Sequence, residues 1–302
     1  MLEVFQRLAV VSLDDVYVHE GVVDRWVERI ADFVQHDGIM KNPIIVAEAE
    51  AAGGHKYVVL DGMHRVQALR VLGAPDILVY VSPYWSEDVR LESWDALLLD
   101  APPIEAMCAA VADEPIEVLD DAVQLGATKV GMTMVEACSI TEAEARTRVY
   151  GRELAMALVV RDGRRVGLRV RPDAGEPAIE VIVRALRKVE DALDARSVRA
   201  VYTPSSRSRS DFAAQPSEAL FLRPRFSKQE VLERTLSGRL FPRKSTRVLV
   251  PERPLRVDFH LTVLKAALDL PTKNQLLRDH LQWCWQNNMV RYYPEPVYVF
   301  GD

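Results

Sequence analysis

Along the first hundred residues the apolar positions switch repeatedly between two periods. Leu8–Leu13 is a short continuous apolar run, read as a strand. Val22, Val23, Trp26, Ile30, Phe33 and Val34 then recur at helical spacing, and Gly38 follows as a stop signal. The run 43–46 begins the next strand, Gly53-Gly54 makes a turn, and 57–60 is strand-like again. Asp61-Gly62 breaks that strand, 66–72 reads as a helix closed by Gly73, and 77–81 is a further buried strand. The order β-α-β-β-α-β predicts an α/β unit with a mixed sheet.

A boundary is expected near 100–103, where the apolar pattern meets Pro102-Pro103, dividing the chain into 1–98 and 99–302. The second part is again α/β. Thr141 with Glu144, and Ser227 with Glu230, are capping-box pairs ahead of helices, the second ending at Gly238. Arg161–Arg164 reads as a hairpin turn, and apolar positions over 178–193 predict a helix. The polar stretch 202–218, with SSRSRSDF inside it, reads as a mobile loop or lid. Trp283 and Trp285 flank Cys284 in a helical pattern and are read as core. His36, His55, His260 and His280 share no metal-ligand spacing and are read as structural or surface residues.

Composition narrows the function classes. The 302 residues are 49% hydrophobic and 27% charged, enough to bury a sizeable core, which excludes a disordered or fibrous chain. A net charge of −6 argues against broad charge-driven nucleic-acid binding. Three scattered cysteines without a CxxC pair form neither a disulfide framework nor a zinc site. With no signal-like N-terminus and no apolar run of membrane length, a cytoplasmic protein without membrane contact is expected.

The sharpest local feature is YVVLDGMHRVQALRVLG at 57–73. A strand ends at Asp61-Gly62 and a helix begins near His64-Arg65. The unpaired amides and dipole of such a helix start attract anions, and His64 and Arg65 add donors. Asp61 at the strand end suits a magnesium ion shared with phosphate oxygens. From residue types alone, a plain strand–turn–helix with a solvated His and Arg accounts for the same letters.

The motif DGMHR at 61–65 resembles the phosphate-binding motif of the ParB/sulfiredoxin-like superfamily. Within it the chain is most similar to the free L-serine kinases: the archaeal ADP-dependent serine kinase and the siderophore-cluster L-serine kinase. The matching pieces run in order. They are His19-Glu20, GIMKNP at 38–43, DGMHR, Trp94 in LESWDALL, LFPRKSTR at 240–247 and PERPLRV at 251–257. The chain departs from the pattern at Met63 and at Val248, where the kinases often carry histidine. Met63 also excludes sulfiredoxin chemistry, which needs a cysteine thiolate there.

The resemblance implies an N-terminal ParB/sulfiredoxin-like α/β domain binding nucleotide over 1–98 and a C-terminal α/β domain contributing to the substrate pocket over 99–302. It implies phosphoryl transfer to free L-serine, with ATP or ADP as donor and Mg²⁺ as cofactor; a homodimer is compatible with it. Glu20 and Asp61 would be catalytic, Asp61 also holding the metal. Lys41, Gly62, Met63, His64 and Arg65 would bind the nucleotide phosphates. His19, Trp94, Lys244, Thr246 and Arg247 would form the serine pocket. By residue type, Glu20 is equally an acid favoured at a helix start, Trp94 a core residue, and Lys244–Arg247 a solvated basic loop. The alternative from another class is a ParB-like nucleotide-dependent DNA-binding or regulatory protein. The net charge and the absence of a clear helix-turn-helix weigh against it.

Overall fold

The computed structural model describes residues 3–51, 54–100, 104–111, 116–120, 141–170 and 175–293. Gly53 of the expected turn and Pro102-Pro103 of the expected boundary lie outside the described residues. The chain folds as two compact units, one of residues 1–18, 22–84 and 250–302, the other of residues 19–21 and 85–249.

The first unit opens with α1 (Glu3–Gln6), β1 (Leu8–Ser12), β2 (Val16–Tyr17), α2 (Asp24–Asp37) and β3 (Ile39–Met40). It continues through β4 (Ile44–Ala51), β5 (Gly54–Asp61), α3 (Met63–Val71) and β6 (Asp76–Ser82). Among the described residues its main sheet has the order β1-β6-β4-β5-β2. The pairs β1/β6 and β4/β5 are antiparallel, while β4/β6 and β2/β5 are parallel, so the sheet is mixed as expected. Ile44–Ala47 and Ile77–Tyr80 are buried without alternation, the pattern of central strands covered on both faces. Val27 and Ala31 of α2 pack with Ala68 of α3, and Gly38 ends α2 in the left-handed conformation at φ 69°.

In the second unit the chain forms β7 (Arg90–Glu92), β8 (Trp94–Leu98), α4 (Ile104–Ala110), β9 (Ile116–Asp120) and α5 (Glu142–Tyr150). Then come β10 (Met156–Val160), β11 (Arg165–Val170), α6 (Ala178–Asp194), β12 (Ala200–Pro204) and α7 (Ser208–Ala214). β13 (Ala219–Leu222), α8 (Lys228–Leu236) and β14 (Arg247–Leu249) complete it. Its large sheet has the order β12-β8-β13-β10-β11-β9 among the described residues. Helix α6 buries Val181, Ile182, Ala185, Leu186, Val189 and Leu193 against it. Both capping boxes form, and 161–164 does connect the β10/β11 hairpin.

The returning segment completes the first unit. Phe259–His260 pairs with β3, and the helix Leu270–Gln286 starts at Asp269, whose side chain accepts from Thr272 N. Asn274 on that helix accepts from Val10 N at 2.9 Å and donates to Val10 O at 2.8 Å, satisfying backbone groups of the edge strand β1. Lys273, fully buried, reaches Asp76 Oδ2 at 2.5 Å and Leu264 O at 2.9 Å.

Three readings differ from these findings. The units do not divide at 98/99: β8 lies between β12 and β13, and 250–302 belongs with the first unit. An apolar run such as Trp94–Leu98 looks the same whichever sheet receives it, and its strand partners lie more than a hundred residues away. The stretch 202–218 is no mobile loop. It contains the end of β12 and all of α7, with Ser205, Ser208 and Phe212 buried and a Thr203–Asp211 side-chain hydrogen bond. Trp283 and Trp285 are 53% and 51% exposed rather than core. Residues two apart point to opposite sides of a helix, and Leu277 and Leu281, four apart, take the buried face. No helix among the described residues is long and apolar enough to cross a membrane.

Removing Asp76 would leave the Lys273 ammonium buried without its counter-charge. Asp76→Asn is expected to destabilise the first unit by about 3–5 kcal/mol, measured by urea unfolding at pH 7.

Candidate active site

Glu20 belongs to a three-residue excursion of the chain, 19–21, into the second unit. Phe241 N–H donates to His19 O at 2.8 Å, and Glu20 forms a parallel bridge with Phe241. Phe241 is in turn buried against Phe226, ring centroids 4.7 Å apart. The excursion is thus fastened to an apolar anchor beside the 242–247 turn.

That turn wraps the carboxylate. Lys244 N–H donates to Glu20 Oε2 at 2.7 Å; Thr246 N–H and Thr246 Oγ1 both donate to Oε1 at 2.7 Å. His19 Nε2 lies 2.6 Å from Thr246 Oγ1 and 3.6 Å from Glu20 Oε1. The Thr246 hydroxyl has one proton, which it gives to Glu20, so it accepts from His19 and the imidazole carries its proton on Nε2. His19 is fully buried, and Glu20 and Thr246 nearly so. Burial alone would raise the carboxyl pKa, but the bonds from His19 and Thr246 outweigh it and hold Glu20 below the ordinary glutamate value. Oε1 is saturated by two donors; Oε2 accepts one and keeps a lone pair for another proton donor.

Trp94, the first residue of β8, is half-buried, with Lys244 Nζ 5.1 Å and Arg247 Cζ 5.4 Å from its ring centroid. Arg247 also donates to Glu92 Oε2 at 2.8 Å across the β7/β14 pair. His19, Glu20, Trp94, Lys244, Thr246 and Arg247, spread over more than two hundred residues of sequence, are therefore one cluster in the second unit.

The phosphate-turn candidate stands in the first unit. Gly62 precedes α3 at φ 100° and offers no side-chain cap, so the first-turn amides of Met63, His64 and Arg65 face out along the helix axis. A Cβ on Gly62 would stand 2.8 Å from Arg65 Nη2 and 2.9 Å from Ile44 Cδ1. Arg65 reaches Asn42 O at 2.9 Å and Pro43 O at 2.7 Å through Nη1, and Asp61 Oδ2 at 2.9 Å through Nη2. Its fork thus ties the backbone at 42–43, just ahead of β4, to the turn. His64 Nε2 accepts from Val23 N–H at 3.1 Å, binding the starts of α2 and α3 together and leaving the ring proton on Nδ1. Lys41 pairs with Asp37 at 2.6 Å on the surface.

Arg253, which the motif reading did not single out as a site residue, donates to Asp61 Oδ2 at 2.6 Å. Its signal was present in PERPLRV, but only the fold shows which carboxylate it meets. One aspartate between two guanidiniums leaves the turn net positive, which suits an anion and disfavours a bare cation. Among the described residues no group of three His, Cys, Asp or Glu side chains can hold a metal ion. A divalent cation such as Mg²⁺ would fit here only if it arrived already paired with an anion, and Asp61, whose Oδ1 neither arginine uses, would be the residue to hold it.

Two outcomes follow from this geometry. Gly62→Ala pushes Arg65 off Asp61 and adds about 1–2 kcal/mol of left-handed backbone strain; urea unfolding should show a loss of stability of at least that size. The folded state binds the Glu20 proton less tightly than the unfolded chain. Its contribution to stability is therefore complete above the unfolded value of about 4.3 and is lost as pH falls through the lower folded value. Urea unfolding between pH 3 and 6 should show a shallower acid loss in Glu20→Gln, and that variant should be about 2 kcal/mol less stable near pH 6.

No family model matches the chain. It is 24% identical over 261 residues to the ADP-dependent L-serine kinase SerK of Thermococcus kodakarensis, covering 84% of this chain and 91% of that protein. It is 22% identical to an ATP-dependent L-serine kinase of Desulfurococcus mucosus, covering 84% and 90%. Among solved structures, a free serine kinase in complex with AMP superposes with a TM-score of 0.63 at 22% identity, covering 85% of this chain and 93% of that one. Over most of its length the chain is therefore similar in sequence to L-serine kinases and shares the fold of a solved free serine kinase.

Proposed function

We propose that this protein is a free L-serine kinase, transferring a phosphoryl group from an adenine nucleotide to the serine hydroxyl to give O-phospho-L-serine. The observation that carries the reading is the Glu20 carboxylate, buried, ionised and oriented by Lys244 N–H, Thr246 N–H and Thr246 Oγ1. A carboxylate held this way with one lone pair open on Oε2 suits a hydroxyl that must be aligned and relieved of its proton. The names of the similar kinases supply the substrate class, and they include both ADP and ATP as donors.

In this reading the serine Oγ forms a bond to the transferred phosphorus while the bond from that phosphorus to the nucleotide's bridging oxygen breaks. The serine proton passes to Glu20 Oε2. A loose, metaphosphate-like transition state demands little basicity of the acceptor, so a carboxylate with a lowered pKa is no handicap. Orientation and charge neutralisation dominate. Trp94, Lys244 and Arg247 border the amino acid, with Lys244 the cation for its carboxylate, since Arg247 already meets Glu92. His19 keeps Thr246 directed at the base.

The amides of Met63–Arg65 and the positive field of Arg65 and Arg253 receive the nucleotide phosphates, with Gly62 allowing the close approach and Lys41 a further cation near them. Mg²⁺ bound with the nucleotide would neutralise phosphate charge beside Asp61. A cytoplasmic enzyme accords with an adenine-nucleotide donor.

The test is direct: incubate the protein with L-serine, Mg²⁺ and either ATP or ADP, and detect O-phosphoserine by mass spectrometry. Product with at least one nucleotide is expected; none with either would overturn the reading. Glu20→Gln should retain nucleotide affinity and lose roughly 10²-fold or more in turnover. Thr246→Val should cost about 1–3 kcal/mol in kcat/KM for serine, because one donor to the base is deleted.

A further inference from the structure

We propose that Arg223 is a positioning residue for the candidate base: it fixes the peptide that presents the Lys244 amide to Glu20. Its kinetic consequences rest on the serine-kinase reading; its structural consequence does not.

Arg223 follows β13 and is fully buried. Its Nη1 donates to Lys244 O at 2.7 Å and its Nη2 to Arg243 O at 2.9 Å. Nη2 also meets Glu190 on α6, and the guanidinium carbon lies 5.4 Å from the Tyr202 ring centroid. The backbone end is held as well: Arg223 N–H donates to Oδ1 of the fully buried Asp95 at 3.0 Å, and Asp95 Oδ2 accepts from Ser208 and Tyr150. The arginine is gripped from three sides, and its two outer nitrogens both point at the 243–244 turn.

The decisive relation is covalent. Arg243 C=O and Lys244 N–H are the two ends of one planar trans peptide and point in opposite directions. Arg223 holds the carbonyl end at 2.9 Å and Glu20 holds the amide end at 2.7 Å. Fixing the carbonyl therefore aims the amide, and the cation at one end polarises the donor at the other. Lys244 sits at φ 60°, a left-handed conformation that a lysine adopts at a cost and keeps only when its surroundings impose it. The Arg223 fork on two successive carbonyls is such an imposition. A pair that served stability alone has no need of this geometry, since well-packed apolar groups commonly replace a buried ion pair without loss.

The experiment compares the full-length wild type with Arg223→Lys, which keeps the charge and removes the planar fork, and with Glu190→Gln, which keeps an acceptor and removes the charge. Amide hydrogen exchange at Lys244 and Thr246 is read alongside serine kinetics and ATP and ADP affinity. In Arg223→Lys, exchange at those two amides should quicken at least about tenfold over other amides of the second unit. Serine turnover should fall about 10–100-fold with nucleotide affinity unchanged. Glu190→Gln should move the same readouts in the same direction by less. Wild-type exchange at both amides in either variant, or an equal quickening throughout the second unit, would overturn the proposal. If Arg223→Lys does not fold, Glu190→Gln decides by the same criteria. Absence of serine phosphorylation by the wild type would sink the kinase reading and leave the exchange result to decide this one.

Discussion

The second unit turns on one buried carboxylate whose donors lie more than two hundred residues along the chain from it. An ionised glutamate has no place in a protein interior unless its charge is met, and here it is met by two backbone amides and a hydroxyl. That requirement fixes much else. The chain must leave the first unit for three residues and return, Phe241 must be anchored by Phe226, and the 242–247 turn must hold a lysine at positive φ. Hydrogen bonds to a charged acceptor are each stronger than neutral ones, and three together turn a desolvation cost into a fixed, ionised group.

This constraint also decides what kind of chemistry the carboxylate suits. Strong general bases are made by raising a carboxyl pKa through burial, and burial acts on Glu20 in that direction. Its donors reverse the effect. The result is a poor proton scavenger and a good aligning group. Phosphoryl transfer is among the reactions for which that trade is favourable, because bond breaking to the leaving group runs ahead of bond making to the nucleophile. Enolisation or amide hydrolysis would ask for the opposite tuning.

Local features were legible in the sequence wherever a short-range rule governs them. The capping boxes at Thr141 and Ser227, the stop at Gly38, the strand-to-helix break at Asp61-Gly62 and the turn at 161–164 all follow from residues within four positions of each other. The motif order drew Glu20 and Thr246 into one site, and the fold joins them by direct hydrogen bonds. What letters could not carry was the choice of distant partner. Trp94–Leu98 has the composition of a buried strand in either unit; the segment after 250 carries no mark of returning to the first; and the polar letters of 202–218 do not show that Ser208 turns inward to bond Asp95. The parts played by Arg253 and Arg223 were hidden for the same reason: an arginine's role is set by which carboxylate or carbonyl it meets.

The two arginine clusters show how one residue type takes opposite parts. At the turn before α3, Arg65 is committed to Asn42 O, Pro43 O and Asp61, so its part there is to shape the turn. Arg253, half exposed, shares the same Asp61 oxygen and leaves the turn with an uncompensated positive charge. A helix start alone attracts an anion only within its first turn and weakly in water; a surplus guanidinium beside it strengthens that attraction. In the second unit Arg223 has no solvent exposure at all, and its charge is answered by Glu190 and by carbonyl dipoles. There the planar fork matters more than the charge, because only a group with two parallel donors can hold successive carbonyls while their amides face the other way.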